Sequence, residues 1–508
     1  MQEQFTKKIN NILENALNFN NISTINVTEE AEVVDVNSSI ITVKGFIKIS
    51  FEECVVIKEK YFGIVSFING DVVKISLLNK TNDIQVGDRV VRTFKTLTVP
   101  VGEELIGRVI NGLGEAIDSG SKISCKKSLP VERQAKSIID RKSVFEPLET
   151  GIKVIDSLIP IGRGQRELIL GDRQTGKTSI ILDTILNQKN SDVICIYCSI
   201  GQRDNNIANI INVLKQHNAM KYTIVVHASG NETPEHQFIA PYAATSIAEY
   251  FMEQGKHVLI AYDDLSKHAK AYRELSLLLG KNPGREAYPA DIFYIHSRLL
   301  ERSTKMKDEY GGGSITSLPV IETEAENMSA YIPTNVISIT DGQIYLNPTL
   351  FQKNILPAVD ISKSVSRVGG SAQLKAMKQL IGTLGIEYSQ FEELEAFSRF
   401  STTLDEKTEQ IINKGKRIRE ILKQGAGETL KNYEECAIFL CVNNGIFDDF
   451  ELEAVNIIED IIVNIVNGSA FTDMRECVVN NKNIPEDIVD KFLISVRTMI
   501  EDKNGKSR

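Results

Sequence analysis

The sequence lacks a long apolar segment: no hydrophobic run approaches the roughly 18 residues that a membrane-spanning helix requires. It also lacks an excess of positive charge, because the 508 residues carry a formal net charge of −9, which argues against a nucleic-acid-binding surface. The polar, acidic N-terminal residues have no signal-peptide core and no arginine-rich character. We therefore expect neither a secretory signal nor a transit peptide, and no nucleic-acid partner.

Cysteine and histidine are few and scattered. The seven cysteines show no framework spacing, which suits a reducing compartment. Cys195 and Cys198 form a C-x-x-C within the apolar run Val193–Ile200, and without a second pair this pattern favours a core strand over a metal or redox site. The six histidines show no ligand spacing.

A glycine-rich loop is the most informative local pattern. Its residues fit G-x-x-x-x-G-K-[ST] and are Gly171, Asp172, Arg173, Gln174, Thr175, Gly176, Lys177, Thr178 and Ser179. Glu167–Leu170 before it predicts a buried strand, and Ser179–Leu186 after it predicts an amphipathic helix. A strand, a glycine loop and a helix present backbone N–H groups and a helix N-terminus to a phosphate chain. We therefore predict nucleoside triphosphate binding, with Lys177 on the outer phosphates and Thr178 on Mg²⁺.

A second nucleotide motif lies downstream of this loop. His257–Asp263 is an apolar strand that ends in a carboxylate, and such an aspartate helps to hold Mg²⁺, often through water. The pattern is weak by itself. Together with the loop it favours Asp263 as a residue on the metal side of the nucleotide.

Periodicity predicts a multidomain α/β protein with an N-terminal β-barrel and a helical C-terminus. Candidate strands over 166–171, 193–200, 222–228 and 257–263 alternate with helices, which indicates a mostly parallel sheet in the P-loop domain. Ser371–Phe400 and Asp405–Gln424 are expected to be helical, and a hairpin is predicted at Asn69-Gly70. The predicted parts are an amphipathic arm (1–26), a β-barrel (27–95), a nucleotide-binding α/β domain (96–371) and a helical domain (372–508).

Several longer segments resemble the alpha subunit of F-type ATP synthase. They lead into the glycine loop or follow it, and the likeness is near-continuous from about 100 to 410. The matching segments are Pro130–Glu132, Arg141–Lys153, Pro160–Leu168, Tyr262–Lys267, Pro283–Pro289, His296–Arg302, Gly311–Ser314, Tyr331–Gln343 and Ser364–Gly370.

The resemblance implies a RecA-like central nucleotide-binding domain and a place in a rotary complex. It implies a ring of three alpha and three beta subunits around a gamma stalk, with a delta or peripheral stalk on the N-terminal arm and with membrane association only through the complex. The implied location is the cytoplasmic face of a bacterial inner membrane, or the equivalent organelle membrane. Alpha would bind Mg²⁺ with ATP or ADP without turning it over, while beta holds the catalytic sites.

Gln202 and Arg367 are the two positions that support these different roles of alpha and beta. Hydrolysis needs a group that positions or deprotonates water, and where catalytic relatives place a glutamate this chain has Gln202, which cannot accept a proton. By resemblance Arg367 matches the arginine finger that alpha inserts into the neighbouring catalytic site, where a planar cation stabilises phosphoryl charge. Ser338 matches a position near the same interface, and a plain strand serine is an equally good interpretation.

The chain also departs from the family pattern near the base of the nucleotide. An arginine associated with the pocket is Leu356, and of two glutamines near the base Gln424 remains while the second is Ala426. The phosphate end is intact, so we expect nucleotide binding with weaker affinity or weaker base selectivity.

Two other functions stay open at this point. An active hexameric motor, such as a secretion ATPase or Rho, would be expected to carry a glutamate at position 202, and Rho would also carry RNA-binding aromatics in the barrel. A paralogue of alpha could serve a different rotary complex.

Overall fold

The computed structural model describes residues 29–382, 384–398, 406–448 and 450–505. The predicted N-terminal arm over 1–26 lies outside these residues. The chain divides into two compact units, Met1–Lys95 and Thr96–Arg508.

Six antiparallel strands close into a barrel in the first unit, in the order β1-β2-β5-β4-β3-β6. The strands are β1 (Glu30–Asn37), β2 (Ile40–Lys44), β3 (Glu53–Ile57), β4 (Tyr61–Asn69), β5 (Val72–Leu77) and β6 (Arg89–Thr96). The predicted barrel and its hairpin are confirmed, with Gly70 in the left-handed region at φ 57° between β4 and β5. Alternate β-branched side chains fill the interior, including Val33, Val55 and Ile75.

An eight-stranded sheet forms the centre of the second unit, in the order β16-β15-β10-β14-β13-β11-β12-β8. Its strands are β8 (Val109–Ile110), β10 (Leu168–Gly171), β11 (Val193–Gln202), β12 (Thr223–Ser229), β13 (His257–Asp263), β14 (Ser314–Glu322), β15 (Gly342–Leu346) and β16 (Val365–Ser366). Only β16 pairs antiparallel, with β15, so the predicted parallel sheet is confirmed. A separate ribbon pairs β7 (Thr98–Val101) with β9 (Lys127–Pro130).

Helices cover the sheet and then form the C-terminal part. The helices up to β16 are α1 (Lys153–Leu158), α2 (Lys177–Asn187), α3 (Asp204–Gln216), α4 (Pro234–Met252), α5 (Leu265–Leu278), α6 (Ile292–Leu300), α7 (Tyr331–Ile339) and α8 (Pro348–Gln352). After β16 follow α9 (Lys375–Ile381), α10 (Leu384–Ser398), α11 (Glu406–Ile421), α12 (Asn432–Asn443), α13 (Val455–Asn467), α14 (Thr472–Val479) and α15 (Glu486–Gly505).

Three predicted elements differ from the structure. The helix expected over 371–400 is observed as two helices, α9 and α10, because Ile381 at the end of α9 is followed by Gly382, a residue type with low helix propensity. The helix expected up to Gln424 stops at Ile421, and the backbone N–H of Gln424 donates instead to the Leu356 carbonyl at 2.8 Å. Ser338 lies on α7, so its interpretation as a strand serine is wrong; its hydroxyl donates to the Asn335 carbonyl at 2.7 Å.

Among the described residues, no single helix combines the length and the apolar character needed to cross a bilayer. One pair, Leu452–Asn467 and Ser469–Val479, meets both conditions only when taken together across a 71° bend.

Parallel pairing brings the carboxyl ends of β10, β11 and β13 to one edge of the sheet, which is where ligands bind in open α/β sheets. All four residues of β10 and nearly all of β11 and β13 are buried, as in strands covered on both faces. The sheet core therefore presents Gly171, Gln202 and Asp263 at this one edge.

Candidate functional site

The loop between β10 and α2 is shaped as an anion cradle. Gln174 and Gly176 adopt left-handed backbone conformations, with φ 60° and 96°, and α2 begins directly after Gly176. Left-handed residues beside a helix start turn successive N–H groups toward a common point, and the helix N-terminus adds partial positive charge. No side chain caps α2, so its first N–H groups remain available to a phosphate.

Lys177 is held at the mouth of this cradle. Its ammonium donates to the carbonyl oxygens of Gly171, at 2.8 Å, and of Asp172. Burial lowers the pKa of Lys177, while the carboxylates of Glu322 and Asp264 act in the opposite direction. A phosphate chain would supply the anionic partner that this buried cation needs.

Thr178 and Asp263, the two residues that the motifs place on the metal side of a nucleotide, are in direct contact. The Thr178 hydroxyl donates to Asp263 Oδ2 at 2.9 Å, and the Tyr197 hydroxyl donates to the same oxygen at 2.6 Å. Asp264 caps α5 by accepting from the Lys267 N–H at 2.8 Å, and burial raises the pKa of Asp264 to about 6. Asp263 is thus fixed by two hydroxyl groups at the end of β13.

The groups at this site that could bind a metal are the oxygens of Thr178 and Asp263. In the described part of the chain, no three His, Cys, Asp or Glu side chains group closely enough to hold a metal ion by themselves. Mg²⁺ is normally bound by one or two protein oxygens together with phosphate oxygens and water. The pair formed by Thr178 and Asp263 fits that arrangement.

The remaining loop residues are braced by neighbours. Asp172 Oδ1 accepts from the Thr323 hydroxyl at 2.6 Å and from the Glu326 N–H at 3.1 Å. Thr175 donates to the Asp172 carbonyl at 2.8 Å, and the exposed Arg173 pairs with Glu322 at 3.1 Å. These contacts fix the loop between Asp172 and Thr175, whereas Ser179 on α2 is exposed.

Gln202 ends β11 at the same edge of the sheet as the loop. Two strands, β13 and β14, separate β11 from β10, which amounts to about 14 Å at ordinary strand spacing. The backbone carbonyl of Gln202 accepts from the Gly230 N–H at 3.1 Å. Within the described residues, no hydrogen bond joins Gln202 to the phosphate loop.

Arg367 directly follows β16 and lies at the amino-terminal ends of the parallel strands. The phosphate loop lies at their carboxyl ends. Ser366 pairs with Gly342 at the start of β15, whereas Gly171 pairs with Leu346 at its end, a separation of about 13 Å. The Arg367 N–H donates to the Asp341 carbonyl at 2.8 Å, its side chain is exposed, and its guanidinium forms no ion pair among the described residues. The structure therefore does not bring Arg367 to the chain's own phosphate loop.

Gln424 lies beside the loop and is held by backbone groups. Its Oε1 accepts from the Lys153 N–H at 2.9 Å, and its Nε2 donates to the carbonyls of Gly151, at 2.7 Å, and Glu428. It borders a pocket that begins at Thr175, Gly176 and Ser179 and continues between apolar walls. Those walls include Ile152, Leu346, Phe351, Leu356 and Ala426.

The sequence did not single out Tyr197, Ile152 or Phe351. Tyr197 could have been noticed in the sequence, because the hydroxyl of a tyrosine in the middle of a buried strand must find a hydrogen-bond partner. Cys195 and Cys198 on either side of it are buried free thiols, and burial raises the pKa of both. No comparable local signal marks Ile152 or Phe351, which reach the pocket from distant parts of the chain.

Comparison with known proteins gives consistent matches along the chain. Residues 151–366 match the model of the ATP synthase alpha/beta family, nucleotide-binding domain. Residues 373–499 match that of the ATP synthase alpha/beta chain, C terminal domain.

Individual relatives cover most of the sequence. The chain is 51% identical to ATP synthase subunit alpha 2 of Syntrophotalea carbinolica over 455 residues, which is 90% of this chain and 87% of the relative. It is 54% identical to ATP synthase subunit alpha 1 of Chlorobium luteolum, over 85% of this chain and 84% of the relative. For ATP synthase subunit alpha 1 of a Marinomonas species the identity is 52%, over 89% and 91%. The chain therefore belongs to the ATP synthase alpha/beta family, as a subunit of the alpha type.

Proposed function

We propose that this chain is a non-catalytic, Mg-nucleotide-binding alpha subunit that supplies Arg367 to the catalytic site of an adjacent beta subunit. The observation that carries the proposal is the position of Arg367. Its guanidinium is exposed, free of ion pairs within the described residues, and about 13 Å along the sheet from its own phosphate loop. A cation placed in this way serves a phosphoryl group on another chain better than one on its own.

The chain's own site is suited to holding a nucleotide. Lys177 and the N–H groups of α2 would bind the outer phosphates, and the oxygens of Thr178 and Asp263 would hold Mg²⁺. A metal held by these two oxygens would supply positive charge that offsets the negative charge of the phosphates. Gln202 is an amide and offers no base for the attacking water.

The partners follow from the same assignment. We infer contacts with beta subunits in an alternating three-plus-three ring, with a gamma stalk, and with a delta or peripheral stalk through residues 1–26. Membrane association would be only through the complex, at the cytoplasmic face of a bacterial membrane or the equivalent organelle membrane. An active hexameric motor is not favoured, because the relatives described above are all named subunit alpha.

Replacing the proposed finger tests the role in trans. Arg367→Ala should reduce ATP turnover of the assembled complex by about 10³- to 10⁵-fold, because the transition-state charge loses its cation. Nucleotide binding by the isolated chain should be unchanged. Arg497→Ala is the matched control, since Arg497 is an exposed arginine on α15. Retained turnover, or loss of binding by the isolated chain, would contradict the proposal.

The missing base is tested on the purified chain. Steady-state ATP hydrolysis by the chain alone should be indistinguishable from a Lys177→Ala variant, because neither has a complete catalytic set. Hydrolysis that depends on Lys177 would show that the chain is an active enzyme.

A further inference from the structure

A buried carboxyl group lies beside the backbone that carries Arg367. Glu167 directly precedes β10 and has no exposed surface. A Cβ atom added to Gly342 would lie 2.6 Å from Glu167 Oε2 and 2.8 Å from Oε1, so the carboxyl fills the space of a side chain at position 342. Gly342 on β15 pairs with Ser366 on β16, and Arg367 is the next residue. The glycine therefore lets the Glu167 carboxyl reach the place where Arg367 leaves the sheet.

Only one oxygen of this carboxyl group is hydrogen-bonded. Glu167 Oε2 accepts from Gln165 Nε2 at 2.6 Å. Glu167 Oε1 is buried and has no hydrogen-bond partner within the described residues. A buried carboxylate oxygen without a partner is costly, and a proton or a nearby cation removes that cost. Oε1 therefore marks a place where one of the two is needed.

Gln165 connects this carboxyl group to the strand that leads to Arg367. Its Nε2 group, which donates to Glu167, also donates to Ser366 Oγ at 3.2 Å. Its Oε1 accepts from the Gly162 N–H at 2.8 Å, which fixes the orientation of the amide. Glu167 and the residue before Arg367 are thus held by the same side chain.

Arg367 is the cation that remains available to Glu167. The other charged group that acts on Glu167 is Asp341, whose carboxylate accepts from Arg166 Nε at 2.9 Å and Nη2 at 2.8 Å. Arg367 is exposed and forms no ion pair among the described residues. Burial raises the pKa of Glu167 well above its ordinary value; the hydrogen bond from Gln165 and the Arg367 charge act against that shift, and Asp341 adds to it.

We propose that Glu167 is a positioning residue for Arg367, whose ionised carboxylate draws the guanidinium back onto its own chain and whose protonated form leaves it able to reach a neighbouring subunit. The inference rests on the proposed function, because withdrawal matters only to a cation that acts on another chain. A carboxylate and a phosphoryl group would compete for the same guanidinium. Arg367 should therefore be withheld increasingly as the pH rises through the range in which Glu167 ionises.

Chemical labelling of the full-length chain tests the ion pair without any partner subunit. Phenylglyoxal modifies accessible arginine side chains, and mass spectrometry measures the rate at each position. Arg497 on α15 is also exposed and serves as the internal reference for the effect of pH on the reagent. With rising pH we expect the Arg367 rate relative to Arg497 to fall about threefold in wild type, the effect of a partly exposed ion pair.

Two neutral variants complete the labelling test. Glu167→Gln keeps the size of the side chain and an oxygen that can accept from Gln165, and Glu167→Ala removes both. In either variant the Arg367 rate relative to Arg497 should be independent of pH. A wild-type ratio that does not change with pH, or a folded neutral variant whose ratio falls as in wild type, would overturn the inference.

ATP turnover by the assembled complex tests the consequence for catalysis. We expect kcat of the Glu167→Gln complex, relative to wild type, to rise about threefold with pH, because the variant cannot withdraw Arg367. KM for Mg-ATP should be unchanged, since the lost competition concerns a contact made in the transition state. Glu451→Gln, which removes an exposed carboxylate, should show no such rise.

The two possible failures are distinguishable in the same complexes. A kcat ratio between Glu167→Gln and wild type that is independent of pH would overturn the inference and leave the role of Arg367 intact. Retained turnover in Arg367→Ala would instead overturn the proposed function, whatever the labelling shows about the ion pair.

Discussion

At the scale of single residues, Glu435 on α12 is unusual because it is a carboxyl group with no exposed surface. Neither of its oxygens has a hydrogen-bond partner among the described residues. Burial raises the pKa of Glu435 well above its ordinary value; Asp156 and Glu149 raise it further, and Lys153 acts against them. The folded chain therefore keeps this side chain neutral at pH values where an exposed glutamate is ionised.

This neutral state predicts a pH dependence of stability. Above about pH 4.3 the unfolded chain loses the Glu435 proton while the folded chain keeps it, so the free energy of unfolding should fall by about 1.4 kcal/mol per pH unit. The fall should end near the raised folded pKa. Glu435→Gln should remove this contribution, which urea unfolding at several pH values would measure as a shallower slope.

A comparison variant separates Glu435 from the rest of the protein. Glu451→Gln removes an exposed carboxylate from the same part of the chain and should leave the slope as in wild type. Equal slopes for Glu435→Gln and wild type would mean that Glu435 is ionised in the folded chain.

Sequence predicted the residues of the loop because their roles depend on local spacing. Gly171, Lys177 and Thr178 are close in the chain, and the strand and helix beside them fix their geometry. The partners of Gln424 could not be predicted in the same way, because Gly151 and Lys153 are some 270 positions away. Only the tertiary structure reveals that this amide is engaged.

At the scale of elements, α10 and α11 approach closely through a glycine. A Cβ atom added to Gly415 on α11 would lie 2.0 Å from Cγ of Phe391 on α10. Phe391 has no exposed surface, so its ring has little room to move. The glycine thus permits this helix pair despite the lower helix propensity of its residue type.

Gly415→Ala should therefore destabilise the chain although alanine favours helices. We expect a net loss of up to about 2 kcal/mol, because overpacking costs about 1–3 kcal/mol and helix propensity returns about 1 kcal/mol. Thermal unfolding followed by circular dichroism would measure it. Gly382→Ala is the control, since a Cβ atom added there would have the Lys378 carbonyl oxygen as its nearest neighbour, at an ordinary 3.8 Å. A stabilised Gly415→Ala variant would show that Phe391 can move aside.

Periodicity predicted the strands better than the C-terminal helix ends. The strand predicted over 257–263 matches β13, because an apolar run in a parallel sheet is bounded by polar residues. The end of α11 was misplaced because the contact between Gln424 and Leu356, not local propensity, directs the chain after Ile421.

At the scale of the whole molecule, a buried ion pair joins the sheet region to the C-terminal helices. Lys153 on α1 donates to both carboxylate oxygens of Glu459 on α13 at 2.8 Å. The Lys153 side chain is only 2% exposed. Burial raises the pKa of Glu459, and Lys153 acts against that shift.

Breaking one side of this pair should cost more than removing both. Lys153→Met should lower the free energy of unfolding by about 3 kcal/mol, because it leaves the Glu459 carboxylate buried without its partner. Adding Glu459→Leu should recover much of that loss. Urea unfolding of both single variants and the double variant would give the coupling energy. Strictly additive effects would mean that the interaction between Lys153 and Glu459 does not stabilise the folded chain.

Arg367 and the phosphate loop lie at opposite ends of the parallel strands of one sheet. Each chain therefore presents two different groups on two different sides. A subunit that offers a cation at one edge and holds a nucleotide at the other makes head-to-tail contacts, which differ from the self-complementary contacts of a two-fold dimer. Successive head-to-tail contacts either close into a ring or continue as a filament. For the proposed role of Arg367, the angle between neighbouring subunits would therefore decide whether each Arg367 meets a nucleotide site, since only a closed ring leaves no unpaired subunit face.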